Sequence, residues 1–137
     1  MFTNIVLAID GSDESKKAAF LAADVACAGH AEVVVLHVRE FGATAGLSYP
    51  YEVPVEAPGL VDEAVRGLED NEVSARGEVR DCLHGSVADQ IVRLAEEVDA
   101  DLIVMGSRGP SDWAGVVMGS VTQAVLHGTH RPVLVAR

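Results

Sequence analysis

Short apolar runs alternate along this chain with longer segments whose apolar residues recur at helical spacing, and that alternation restricts the fold more than any other feature. Asn4 to Ile9 reads as a buried strand that ends at Asp10-Gly11-Ser12. Ala18, Leu21, Ala22, Val25 and Ala26 then form the stripe of an amphipathic helix, with Ser12 placed to cap it and Gly29 to end it. Glu32 to Val38 is apolar on both faces, as a central parallel strand must be. A second helix follows on Leu60, Val61, Ala64, Val65 and Leu68. Val73 to Asp81 alternates charged and small residues in the manner of an edge strand with one wet face. Ser86 and Asp89 open a third helix, Asp101 to Met105 is another buried strand, Gly119 to His127 a fourth helix and Pro132 to Ala136 the last strand. Right-handed crossovers then predict a five-stranded, doubly wound parallel sheet, Rossmann-like, in the order 3-2-1-4-5. A length of 137 residues suits a single α/β domain spanning residues 1–137.

The segment from Phe41 to Gly59 breaks the rhythm with Gly42, Gly46, Pro50, Pro54 and Pro58, and is expected to be a long flexible loop, either lying over a site or a variable insertion with no role. A net charge of −11 argues against a nonspecific grip on nucleic acid or on an anionic membrane. It does not oppose a small phosphorylated ligand, because backbone amides at a helix start hold phosphate whatever the global charge. Cys27 and Cys82 lie far apart with no CxxC spacing, and no apolar run reaches the ~20 residues needed to span a bilayer. The expectation is a reduced, cytoplasmic protein.

The chemistry concentrates after the fourth strand. Gly106-Ser-Arg-Gly109 is followed by nine residues and then by Gly119-Ser120-Val121-Thr122, at the start of the fourth helix. Glycines let a backbone come close to phosphate oxygens, and a helix start adds unpaired N–H donors, the positive dipole end and the Ser120 hydroxyl. Two such turns facing one another would make a polyphosphate site at the carboxyl ends of the strands, where doubly wound sheets bind ligands.

In these residues the chain resembles the nucleotide-binding branch of the universal stress protein family, whose G-x2-G-x9-G-[S/T] motif matches at Gly106, Gly109, Gly119 and Ser120. The likeness extends to the DGS turn at 10–12, LHV at 36–38, DLIVMGSRG at 101–109 and RPVLVAR at the end, and leaves out only the segment from Phe41 to Gly59. It implies binding of ATP, AMP or cyclic AMP. It puts Asp10 and Ser12 near the adenosine, the Val38 backbone against the base, and Gly106, Arg108 and Gly109 along the phosphates. Gly119, Ser120, Val121 and Thr122 close the other side, with Mg²⁺ or Mn²⁺ at the phosphates.

Each residue also has a plainer reading. Asp10 either meets the ligand or helps cap the following helix, Arg108 either pairs with phosphate or is solvated, and Ser120 and Thr122 either donate to the ligand or cap their helix. Pro110 removes one amide from the first turn, and Trp113 suits packing or an interface. The five histidines show no metal-ligand spacing, and neither a P-loop, a G-x-G-x-x-G turn nor a G-x-S-x-G elbow is present. The predicted function is a regulatory adenine-nucleotide-binding module. The alternatives are a slow ATP hydrolase or nucleotidyl-transfer enzyme, with Asp10 or Asp112 positioning water, and a ligand-free dimeric scaffold. Val133, Leu134 and Val135, apolar on both faces of an edge strand, predict a homodimer, which the resemblance implies as well.

Overall fold

The computed structural model describes residues 1–44, 47–50, 57–107 and 118–137. In chain order the elements are β1 (Asn4–Ala8), α1 (Asp13–Gly29), β2 (Glu32–Thr44), β3 (Leu47–Pro50), α2 (Ala57–Asp70), β4 (Ser74–Leu83), α3 (Val87–Glu97), β5 (Leu102–Gly106), α4 (Ser120–Gly128) and β6 (Val133–Ala136). The five parallel strands lie in the order β4-β2-β1-β5-β6, which is the predicted 3-2-1-4-5.

Both faces of the central strands are covered, so their residues divide by parity between two apolar layers. Ile5, Leu7, Val33, Val35 and Val104 pack with Ala18, Ala22 and Ala26 of α1 and Val61 and Leu68 of α2. Val6, Val34, Leu36, Ile103 and Met105 pack with Ile91, Leu94 and Ala95 of α3 and Val125 of α4. Strands feeding helices on both faces leave their carboxyl ends facing a shared crevice.

The structure departs from the predicted loop at 41–59. Strand β2 runs on to Thr44, and β3 folds back antiparallel to it with Phe41 opposite Pro50 and Thr44 opposite Leu47. Residues 57–59 already belong to α2, while residues 45, 46 and 51–56 lie outside the described residues. The glycines and prolines misdirect the sequence reading because β2 has a partner the local pattern cannot reveal. Strand β4 pairs with it continuously from Glu32↔Ser74 to Phe41↔Leu83 and holds it extended past the sheet centre. Pro50 ends β3, where a missing N–H is tolerated.

Helix α1 is capped by Ser12, whose Oγ accepts from the Ser15 amide at 3.2 Å. Gly29 is its last helical residue, and His30 rather than the glycine takes the left-handed position with φ 52°. At the β4 edge, Arg80 bonds Glu78 at 2.9 Å and Glu97, and Arg76 lies 3.7 Å from Glu32. This charged fringe suits a strand that must not pair with others.

Asp101, at the start of β5, ties that strand to β1. Its carboxylate accepts the Thr3 amide at 2.9 Å, the Thr3 hydroxyl at 3.1 Å and the Asn4 amide at 3.2 Å. Burial pushes this carboxyl up, but those donors together outweigh burial and hold it below its ordinary value of 3.8. A depressed carboxyl contributes stability that is complete above the ordinary value and drains away as the pH falls through the folded one. Asp101→Asn is therefore expected to lower the urea midpoint at neutral pH and to leave less difference between wild type and variant at about pH 3. Parallel urea titrations at the two pH values check this, and an equal deficit at both would refute it.

Candidate functional site

A cleft of about 400 Å³ opens at the carboxyl ends of β1, β2, β4 and β5. Its apolar wall comes from Leu36, Val38, Ala88, Ile91 and Met105. Of the predicted site residues, Asp10, Val38, Gly106, Gly119, Ser120, Val121 and Thr122 all border it. Ser12 does not line it, and Arg108 and Gly109 lie outside the described residues, as do Pro110, Asp112 and Trp113.

Gly106 and Ser107 are joined to the start of α4 by a chain of hydrogen bonds. The Ser107 amide donates to the Ala136 carbonyl at 2.7 Å, and the Gly119 amide donates to the Ser107 carbonyl at 2.6 Å. The Thr122 hydroxyl, on a residue 2% exposed, donates to the Gly106 carbonyl at 2.8 Å. The Gly119 amide and the Thr122 hydroxyl are thus engaged inside the protein, where the sequence reading has them facing a ligand. The amides of Ser120, Val121 and Thr122 stand in the first turn of α4, where no helical carbonyl can accept from them. They and the positive end of the α4 dipole form the donor side of the cleft.

Gly106 also has a different physical reason from the expected one. A Cβ there would lie 2.9 Å from Glu14 Cβ, 3.0 Å from the Glu14 carbonyl carbon and 3.1 Å from the Ser15 nitrogen. The bare backbone is required by the approach of α1 to the tip of β5.

Asp10 organises the turn after β1. Its Oδ1 accepts the Ser12 amide at 2.9 Å and the Ser12 hydroxyl at 2.5 Å, while its own amide donates to Ser15 Oγ at 3.1 Å. Asp10 therefore supports the α1 cap and also borders the cleft. Ser12 serves the cap.

On the far side, across β1 from the α4 side, the sequence reading missed His37, Glu40, His84 and Gly85. Glu40 Oε1 accepts the Gly85 amide at 3.2 Å, and Oε2 lies 3.3 Å from His84 Nδ1. The His84 amide donates to the Phe41 carbonyl at 3.0 Å, which stitches the β4–α3 turn to β2. Burial first, and then the nearby Glu40 carboxylate, pushes the Cys82 thiol up, which keeps it protonated and poorly nucleophilic. The cleft is accordingly polarised: amide donors lie at the α4 start, and the Glu40 carboxylate stands on β2, on the other side of β1. Among the described residues, no three His, Cys, Asp or Glu side chains group as metal ligands, and no helix is long and apolar enough to cross a membrane.

A doubly wound parallel sheet with a helix start on the wall of its strand-tip crevice defines an α/β protein of the kind that holds small ligands at that crevice. The family model for universal stress proteins matches residues 1–137, and the chain belongs to that family. It is 34% identical over 148 residues to universal stress protein YxiE of Bacillus subtilis, covering 100% of both chains. Its fold matches that of protein MJ0577 of Methanocaldococcus jannaschii with a TM-score of 0.82 at 23% identity, covering 99% of this chain and 96% of that one. A universal stress protein solved in complex with cAMP matches with a TM-score of 0.71 at 28% identity, covering 99% of this chain and 97% of that one.

Proposed function

We propose that this chain binds an adenine nucleotide, ATP or a related form such as AMP or cyclic AMP, in the strand-tip cleft and acts as a nucleotide-responsive stress protein. The observation that carries the reading is the set of acceptorless amides at Ser120, Val121 and Thr122 on the wall of an apolar-sided cleft large enough for a nucleotide. The relative in complex with cAMP supports the ligand class. Phosphates sit against the α4 start with Gly119 and the turn from Gly106 through Arg108 to Gly109, and the base lies along the Val38 backbone. The ribose lies towards Asp10, and Ser12 acts through the turn it shares with Asp10. When Mg²⁺ or Mn²⁺ is bound, it neutralises the phosphates that the amides hold. A hydrolytic role draws less support, because Asp10 has one carboxylate oxygen committed to Ser12.

The same reading takes β6 as a homodimer edge in a cytoplasmic protein. β6 pairs only with β5 among the described strands, and Val133, Leu134 and Val135 are half-buried there. A second copy adding its own β6 about a two-fold axis would satisfy the open backbone groups.

Calorimetric titration of the purified protein with ATP, AMP and cyclic AMP tests the nucleotide reading. One molecule per chain is expected, with Gly119→Val weakening it at least roughly tenfold by placing a branched side chain at the phosphate end. A purified chain that carries no nucleotide and takes up none of the three would overturn the proposal.

A further inference from the structure

Glu40 follows Leu36 and Val38 at the two-residue period of β2, so its side chain leaves the sheet on the face that carries the apolar wall of the cleft. Cys82, which stands opposite Glu40 on β4, packs with that same layer. Two contacts fix where the carboxylate ends. Oε1 accepts the Gly85 amide at 3.2 Å and Oε2 lies 3.3 Å from His84 Nδ1, and both partners border the cleft, as Glu40 itself does. The Glu40 side chain is 13% exposed. Its charge is felt on this face, since after burial it is the next cause that pushes the Cys82 thiol up.

No lysine or arginine among the described residues offsets that charge. Arg39 stands on the opposite face with Phe41 and is held by Asp81 at 2.7 and 3.0 Å, while Arg80 is held by Glu78 and Glu97. The described residues that line the cleft include neither a lysine nor an arginine. A fixed, largely enclosed carboxylate therefore belongs to a residue about 7 Å along β2 from Val38, on the other side of β1 from the α4 amides.

We infer that Glu40 sets the charge that the cleft tolerates on the base of its nucleotide: a neutral base is admitted and an ionised one is turned away. The inference rests on the nucleotide reading above, which lays the base along Val38. Like charges close together repel more strongly in a site shielded from solvent than in bulk water, and a carboxylate held at both oxygens does not swing aside.

The test is calorimetric titration at neutral pH with AMP, inosine monophosphate and xanthosine monophosphate. The hypoxanthine base is neutral there, whereas xanthine has lost a ring proton. Wild type is expected to bind xanthosine monophosphate about tenfold more weakly than inosine monophosphate. Glu40→Gln keeps an oxygen for the Gly85 amide but carries no charge, and should close most of that gap. Glu40→Asp keeps the charge and should keep the gap. AMP, titrated in parallel, reports that each variant still takes up a nucleotide. A wild type that binds the xanthine and hypoxanthine ligands equally well would overturn the inference without any variant having to fold. So would a gap unchanged in Glu40→Gln, a gap that vanishes in Glu40→Asp as well, or a loss shared equally by all three ligands, and each of these leaves nucleotide binding intact. A wild type that binds none of the three removes both readings together.

Discussion

Gly106→Val is expected to cost about 3 kcal/mol of stability, near the upper end for overpacking a filled interior. Valine suits a strand by propensity, so any loss must come from the space it occupies. The first added carbon already sits 2.9 Å from Glu14 Cβ, 3.0 Å from the Glu14 carbonyl carbon and 3.1 Å from the Ser15 nitrogen. Two of these three atoms are main chain and cannot rotate away, so the start of α1 has to move. Ser15 would go with it, and with Ser15 the bond from the Asp10 amide that holds the turn beside the cleft. The variant should therefore lose nucleotide affinity as well as about 10 °C of melting temperature. Urea unfolding followed by far-UV circular dichroism measures the first effect, and titration of the folded variant measures the second. A variant as stable as wild type would show that α1 can back away freely.

Leu36→Ala should cost a similar amount, about 3 kcal/mol, within the range for emptying a buried leucine site. Leu36 is 1% exposed and belongs to the layer between the sheet and α3 and α4, yet it also borders the cleft. Neighbours such as Val6, Val34 and Ile103 are held in strands paired on both sides and cannot close over the gap. The void would join the cleft and weaken its apolar wall, so affinity should fall together with stability. Leu94→Ala, in the same layer but away from the cleft, serves as the control. Equal affinity in the two variants would show that Leu36 contributes to packing alone.

These two residues also mark how far the sequence could be read. The strand and helix alternation, with right-handed crossovers, was enough to arrange the five parallel strands, because Val6, Val34 and Ile103 are apolar where only a doubly covered sheet needs them. The glycine motif drew attention to Gly106 and Gly119, which both border the cleft, but not to their bonding. That Gly119 donates to Ser107, or that Gly106 faces Glu14, depends on elements far apart in the chain. The hairpin at β2 and β3 was hidden for the same reason: its glycines and prolines read as a loop until β4 extends β2. The contact of His37 Nδ1 with the Ile9 carbonyl was hidden likewise, because its partner stands 28 residues earlier in the chain.

The carbonyl of Ala136 and the start of α4 are separated by a single residue, Ser107, which is bonded to both through its own amide and carbonyl. One residue at the end of β5 therefore ties the edge strand β6 and the start of α4 to the same point. Replacing Ser107 by proline would remove the amide that reaches Ala136 and so cut the tie on the β6 side alone.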